Sequence, residues 1–231
     1  MCGRYTLIQP KKVIRELHGD ADPDGWSQRF NIAPSHSAPV ITSGNASSQN
    51  LLTMSWGFAR LAPARPVRSL GQIINVRIET VNENVRFRDS FRLRRCVVLA
   101  DGFYEWRRMQ RQNQPYLFRL ENGVPFGFAG IWESADDVDS NEIQKFVILT
   151  TTANRLVGEL HDRMPVILDE KMREEWLGYD TTAEVLQGMS EPFAASAMER
   201  FPVSHYVNNP GNEGPDCVKR TLEPEVDTLF S

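Results

Sequence analysis

From Ala38 onward the chain is dominated by short apolar runs and two-residue alternations, the mark of strands, while the segment before it carries a helical period. Pro10 to Leu17 sets Val13, Ile14 and Leu17 on one face behind a first-turn proline, with Gly19 as the stop, which predicts a short helix. His18, at the end of that helix, suits a cap or dipole role. Strands are predicted over Ala38 to Thr42, Leu51 to Trp56, Gln72 to Glu79, Arg95 to Ala100, Phe103 to Arg107, Pro115 to Leu120, Pro125 to Trp132 and Lys145 to Thr151. Helical pieces are predicted at Val85 to Leu93, Ala153 to Leu160, Glu170 to Leu177 and Thr182 to Gly188. Strands in long succession followed by helices predict an α+β fold on a largely antiparallel sheet. No repeat or clear linker interrupts the chain. Residues 1–214 therefore read as one domain, and 215–231 as an acidic C-terminal tail packed on it or fraying from it.

Composition narrows the class. A chain of 231 residues with 41% hydrophobic content can bury a sizeable core. No apolar run approaches the ~18–20 residues of a membrane span, and the N-terminus lacks the form of a signal peptide, so a soluble cytoplasmic protein is expected. Three cysteines at unrelated spacings argue against a disulfide framework and against a zinc site. Cys96, in an apolar run, reads as a core residue. The net charge of −4 speaks against a nucleic-acid partner, but its distribution does not. Between Arg60 and Arg111 stand twelve arginines, no lysine and five acids, a balance of +7, while the stretch from Asp169 to the end carries −8. Arginine suits bidentate contact with phosphate, although a solvated surface accounts for many of these side chains.

Four polar stretches interrupt the apolar pattern. In Ile74 to Glu79, alternation puts Ile74, Val76 and Ile78 on one face and Asn75, Arg77 and Glu79 on the other, either a wet sheet face or one wall of a polar pocket. In Asp101-Gly102-Phe103-Tyr104-Glu105-Trp106 the Glu105 carboxylate sits among three aromatics, where desolvation would raise its pKa and suit it to acid–base work, if it is not a solvated strand edge. His161-Asp162-Arg163-Met164-Pro165 reads as a loop whose histidine could shuttle protons or serve structure. Phe30-Asn31-Ile32-Ala33-Pro34 reads as a turn.

Cys2 carries the most distinctive chemistry. Loss of Met1 would leave a 1,2-aminothiol, with an amine of pKa about 8 and a thiol of about 8.5 on adjacent carbons. With an aldehyde this pair gives an imine and then a thiazolidine; with an amide the thiol alone could transfer an acyl group. Position alone does not choose between them, nor exclude a chance cysteine behind a retained methionine.

Cys2-Gly3-Arg4-Tyr5, Asn31-Ile32-Ala33-Pro34, Trp56-Gly57-Phe58, Asn75-Val76-Arg77-Ile78-Glu79-Thr80, Gly102 to Trp106, His161 to Pro165 and Pro202-Val203-Ser204 occur in one order. Together they closely resemble the SRAP family, the SOS-response-associated peptidases understood as abasic-site processing proteins, over residues 2 to about 214. The resemblance implies a single SRAP-type domain with a barrel-like, largely antiparallel or mixed sheet core flanked by short helices. It implies a monomer that binds single-stranded DNA and links Cys2 covalently to the C1′ aldehyde of an abasic site, with no cofactor and no metal. It also implies peptidase or lyase-like activity, in a cytoplasmic (nucleoid-associated) or nuclear setting. Cys2, Asn75, Glu105 and His161 fall on its catalytic positions: His161 for sugar-ring opening, Glu105 for placing the amine and exchanging its protons, Asn75 for holding the sugar or the Cys2 terminus. Arg4, Asn31, Pro34, Trp56 and Arg77 fall on DNA-binding positions. One departure is the segment Ala59 to Arg68, which lacks the bulky aromatics such proteins wedge beside the lesion. That would forfeit about 1–3 kcal/mol of stacking per base. Leu61 and Pro63 could form an apolar wedge there, with Arg60, Arg65 and Arg68 adding phosphate attraction.

Two other readings compete. Glutaminase domains that use an N-terminal nucleophile also begin Met-Cys-Gly, which accounts for Cys2 but leaves Asn75, Glu105 and His161 without a role. A non-catalytic single-strand-binding module leaves Cys2 without one.

Overall fold

Two sheets bury their apolar faces against each other. The computed structural model describes residues 2–19, 25–43, 49–60, 71–136 and 142–223. In chain order its elements are β1 (Tyr5–Leu7), α1 (Pro10–His18), β2 (Arg29–Ile32), β3 (Ser37–Ser43), β4 (Gln49–Trp56), β5 (Asn75–Arg77), α2 (Arg88–Leu93), β6 (Arg95–Ala100) and β7 (Gly102–Arg107). There follow β8 (Gln114–Leu120), β9 (Phe126–Asp136), β10 (Glu142–Thr152), α3 (Arg155–Gly158), β11 (Arg163–Pro165), β12 (Ile167–Leu168), α4 (Glu170–Leu177), α5 (Ala183–Gly188) and β13 (Met198–Pro202). The fold is α+β. No helix among the described residues is long and apolar enough to cross a membrane.

The larger sheet runs β10-β4-β3-β6-β9, and β9 pairs back onto β10 along Glu142 to Ile148, so these strands close into a ring over that stretch. Its central strand, β6, is buried at every position, which is why its sequence is an unbroken apolar run after Arg95. The walls approach closely at Gly127, where a Cβ would lie 2.1 Å from Val97 Cγ1, so no larger residue fits. The second sheet is antiparallel, in the order β13-β8-β7-β1-β2. Aromatic edges join the two: Tyr5 of β1 meets Trp56 at 5.3 Å and Phe128 at 5.8 Å, and Phe103 of β7 meets Phe128 at 6.1 Å. Such pairs add about 0.5–1.5 kcal/mol each beyond the area they bury. A second cluster, of Tyr104, Leu117, Phe201, Val203, Val207 and Cys217, lies under the segment after β13. That segment is tied down by Ser204 N–H to Lys219 O and Thr221 N–H to Pro202 O, so residues up to 223 follow the sheet.

Several expected elements take another form. The strand expected over Gln72 to Glu79 contracts to β5, which pairs in parallel with Ile148 to Thr150, while Ile73 turns to an isolated antiparallel bridge with Phe58. The helix expected from Val85 begins at Arg88, after successive turns. The loop expected at His161 to Pro165 contains β11, which takes the edge of β10 that β9 leaves after Ile148. The turn expected at Phe30 to Pro34 is instead the end of β2, and the chain reverses at Ser35, with φ of 73°.

Candidate active site

Strand β1 delivers the N-terminus to β7. Tyr5 pairs with Phe103, and Tyr104 N–H donates to Arg4 O at 3.0 Å; carried further, this register brings the Gly3–Cys2 end to Glu105. Cys2 is wholly buried. Burial, and then the neighbouring charge of Glu105, push its thiol far up, so the thiol stays protonated at neutral pH. Glu105, 4% exposed, has its own carboxyl raised by burial, against the opposing influence of the chain's amino terminus and then of His161. From the other sheet, Asn75 Nδ2 donates to Cys2 O at 2.7 Å. Among the described residues, Asn75 Oδ1 and the Tyr5 hydroxyl have no hydrogen-bond partner, and the Tyr5 hydroxyl lies near the Cys2 thiol. These are polar groups held ready beside the cysteine.

His161 follows α3, a single turn whose N-cap Asn154 accepts from Val157 N–H and whose Val157 O accepts His161 N–H at 3.0 Å. Its Nδ1 accepts the Arg163 N–H at 2.9 Å, which leaves the proton of the neutral ring on Nε2. The same Nδ1 lies 2.9 Å from Asp162 Oδ1, a partner for the charged ring. Both protonation states are therefore served, as a proton shuttle requires. Arg163 fixes the strand beyond. Its guanidinium grips Glu79 at 2.7 and 2.8 Å and also donates to Thr150 O, spanning β10 from β11 to the end of β5. Burial works to raise the Glu79 carboxyl, but the Arg163 hydrogen bonds win and hold it below its ordinary value. The structure thus brings Cys2, Asn75, Glu105 and His161 together from four separate elements.

An open cleft of about 590 Å³ is lined by Gly3, next in sequence to Cys2, with Arg4, Pro34, Trp106, Asn113 and Asn208. Arg4 and Pro34 stand in its wall, and Arg77 is exposed on the same strand face as Asn75. Arg4 is partly committed to its own chain, donating to Asn31 Oδ1 at 2.8 Å and Val207 O at 2.9 Å. Two of the expected DNA contacts are corrected. Trp56 is fully buried, stacked 6.3 Å from Phe146, with its Nε1 donating to Ile74 O at 2.9 Å, so it supports the site from the core. Asn31 is equally buried, and its amide is spent on the carbonyls of Val207, Asn209 and Asn212 and on Arg4, so it fastens the loop that forms the far side of the cleft. Arginines of the basic middle divide in the same way. Arg95 is buried against Trp176 O and Phe91 O, and Arg86 pairs with Glu133 over the rings of Phe58 and Phe87, while Arg60 and Arg77 face out. Leu61, Pro63, Arg65 and Arg68 lie outside the described residues.

Sequence reading passed over Trp106, whose ring lies 5.8 Å under the Arg4 guanidinium and whose Nε1 donates to Asn208 Oδ1 at 2.7 Å. The signal was present: in a strand, Trp106 must point away from Glu105 and so line a different surface.

Known proteins resemble this chain throughout. A family model described as SOS response associated peptidase (SRAP) matches residues 1–210. Abasic site processing protein YoqW of Bacillus subtilis is 34% identical over 226 residues, covering 95% of this chain and 99% of that one. Abasic site processing protein HMCES of Mus musculus is 27% identical over 267 residues, covering 94% and 75%. A crystal structure of a Bacteroides thetaiotaomicron protein shares the fold, with a TM-score of 0.77 at 22% identity, covering 96% and 100%. Since the matched region contains both sheets and all four residues gathered around Cys2, the chain belongs to the SOS response associated peptidase family.

Proposed function

We propose that this chain, once Met1 is removed, captures abasic sites in single-stranded DNA as a covalent thiazolidine on Cys2. The observation that carries the reading is the Asn75 hydrogen bond to Cys2 O, because it fixes the α-carbon of the aminothiol between a buried carboxyl and a histidine served in both protonation states. The names of the relatives, abasic site processing proteins, agree with this substrate.

The chemistry follows from the groups present. His161 moves a proton between the sugar hydroxyl and ring oxygen, opening the abasic deoxyribose to its aldehyde. The Cys2 amine attacks C1′, and the resulting carbinolamine loses water, with Glu105 taking the amine proton and returning one to the departing hydroxyl. The thiol then adds to the imine carbon and its proton passes to the imine nitrogen, so aldehyde and aminothiol become thiazolidine and one water. Amine-first order suits a thiol kept protonated by burial and by Glu105. Ring closure removes the imine, the electron sink that β-elimination of the strand requires.

A denaturing gel tests the reading. Met1-free protein mixed with an oligonucleotide bearing one abasic site gives a shifted band, and Cys2→Ala or a retained Met1 abolishes it. Cys2→Ser keeps the amine without the thiol, so borohydride should trap an imine and the strand should be nicked. Ammonia release from glutamine with no adduct from the wild type would overturn the reading in favour of a glutaminase.

A further inference from the structure

Beside the site, on the same face of the second sheet, lies an anion-binding arrangement that the chain fills with its own carboxylate. Glu105 pairs directly with Tyr116, and Arg107 is two residues beyond Glu105, so all three side chains leave the sheet on one side. Arg107 covers the Tyr116 ring at 4.9 Å and Arg200 covers it at 5.6 Å. Arg200 also donates to Leu156 O at 2.9 Å and pairs with Glu159, two residues before His161, which ties this cluster to the wall of the site. The Tyr116 ring is buried, yet its hydroxyl donates at 2.7 Å to Glu223, which also pairs with Arg107 at 3.8 Å. Glu223 itself is 61% exposed. It is held there by the backbone hydrogen bonds of Lys219 and Thr221 to the end of β13 and its sequel.

We infer that Arg107 and the Tyr116 hydroxyl, with Arg200 behind them, form a phosphodiester subsite for DNA flanking the lesion, and that the C-terminal Glu223 carboxylate occupies it until DNA displaces it. The inference rests on the proposed DNA reading and adds a contact and a built-in competitor to it. A guanidinium beside a hydroxyl donor matches a phosphate's adjacent oxygens, and both donors now serve an acceptor of the same charge sign. Glu223 is the displaceable partner, because it is mostly solvated and held by one hydrogen bond and one long ion pair, whereas Arg200 is anchored by its own partners. No bond is made or broken in the exchange: carboxylate leaves, phosphate enters, and the donors remain satisfied.

The test separates binding from chemistry. Fluorescence anisotropy with an oligonucleotide carrying a tetrahydrofuran abasic analogue, which has no aldehyde, reads affinity; the denaturing gel with a true abasic site reads the adduct. Glu223→Gln should tighten binding by about two- to fivefold at low salt, the range an exposed ion pair corresponds to. In an Arg107→Gln background that gain should disappear, and Arg107→Gln alone should lower the salt slope by about one. Tyr116→Phe, which keeps the ring, should weaken binding without changing far-UV circular dichroism. Glu184→Gln on α5, an equal change of charge, should leave affinity within error. The inference is overturned if Glu223→Gln has no effect or tightens equally without Arg107, in which case a wild-type adduct on the gel leaves the main reading standing. Absence of both binding and adduct in the wild type overturns both.

Discussion

Glu105 carries a cost that its chemistry explains. A carboxyl whose folded-state pKa is raised binds more protons folded than unfolded, so its contribution is most favourable below the ordinary carboxylate range. Stability is then lost as pH rises from the unfolded value through the raised folded one. Glu105→Gln removes the ionising group and should melt at a higher temperature than the wild type at pH 8, with the gain shrinking to nothing near pH 4. Thermal melts across that range check it, and a Gln variant less stable at pH 8 would show that burial is not the controlling influence. The adduct should be lost in the same variant, since the proton exchange at the amine goes with the carboxyl. Cys2 shows the same logic from the other side: burial that would disable a thiol nucleophile leaves an amine-led reaction untouched.

Among the elements, β11 deserves its place because of what precedes and follows it. Three residues pair with the end of β10, and Arg163, in the first of them, crosses β10 to hold Glu79 with two hydrogen bonds. Position of His161 relative to Asn75 is set by that crossing, since each stands two or more residues outside the Arg163–Glu79 pair on its own segment. Replacing Arg163 with Met should cost about 1–3 kcal/mol in urea unfolding, less than a fully buried pair because Glu79 is partly solvated. At temperatures well below the melt, adduct formation should slow by about tenfold or more, as expected when a reacting group is displaced by a fraction of a turn. Glu79→Gln keeps one acceptor for the guanidinium and should lose less on both measures.

At the scale of the molecule, the two sheets divide the labour. The larger sheet supplies a wall through Trp56 of the ring and Asn75 of β5 beside it, and the five-stranded sheet supplies Cys2 and Glu105 together with the Arg4–Trp106 cleft. A net charge of −4 is compatible with the proposed DNA binding, because Arg77 is exposed and Arg107 half-buried on the side of the candidate site, while acids crowd the C-terminal third. With three or four phosphate contacts, affinity for single-stranded DNA should fall by about 10- to 50-fold between 50 and 200 mM salt, measured by anisotropy with the unreactive abasic analogue. A flat salt profile would mean that the exposed arginines do not meet the backbone.

The sequence by itself determined what local physics controls. Apolar runs and alternation marked most strands of the ring, the proline-led period of α1 marked its helix, and the motifs of Cys2, Asn75, Glu105 and His161 marked the residues that gather at the candidate site. Tertiary structure alone decided what depends on distant partners. β11 exists because β9 leaves an edge of β10 open, and β5 is short because Ile73 ahead of it bridges to Phe58 and not to β10. The same dependence sorted the polar residues: Asn31 and Trp56, both plausible DNA contacts in their motifs, are enclosed by chain that arrives from residues 207–212 and from β10, whereas Trp106, unmarked beside Glu105, borders the cleft. A motif specifies which groups are available, but burial, which needs the whole fold, decides which of them reach a ligand.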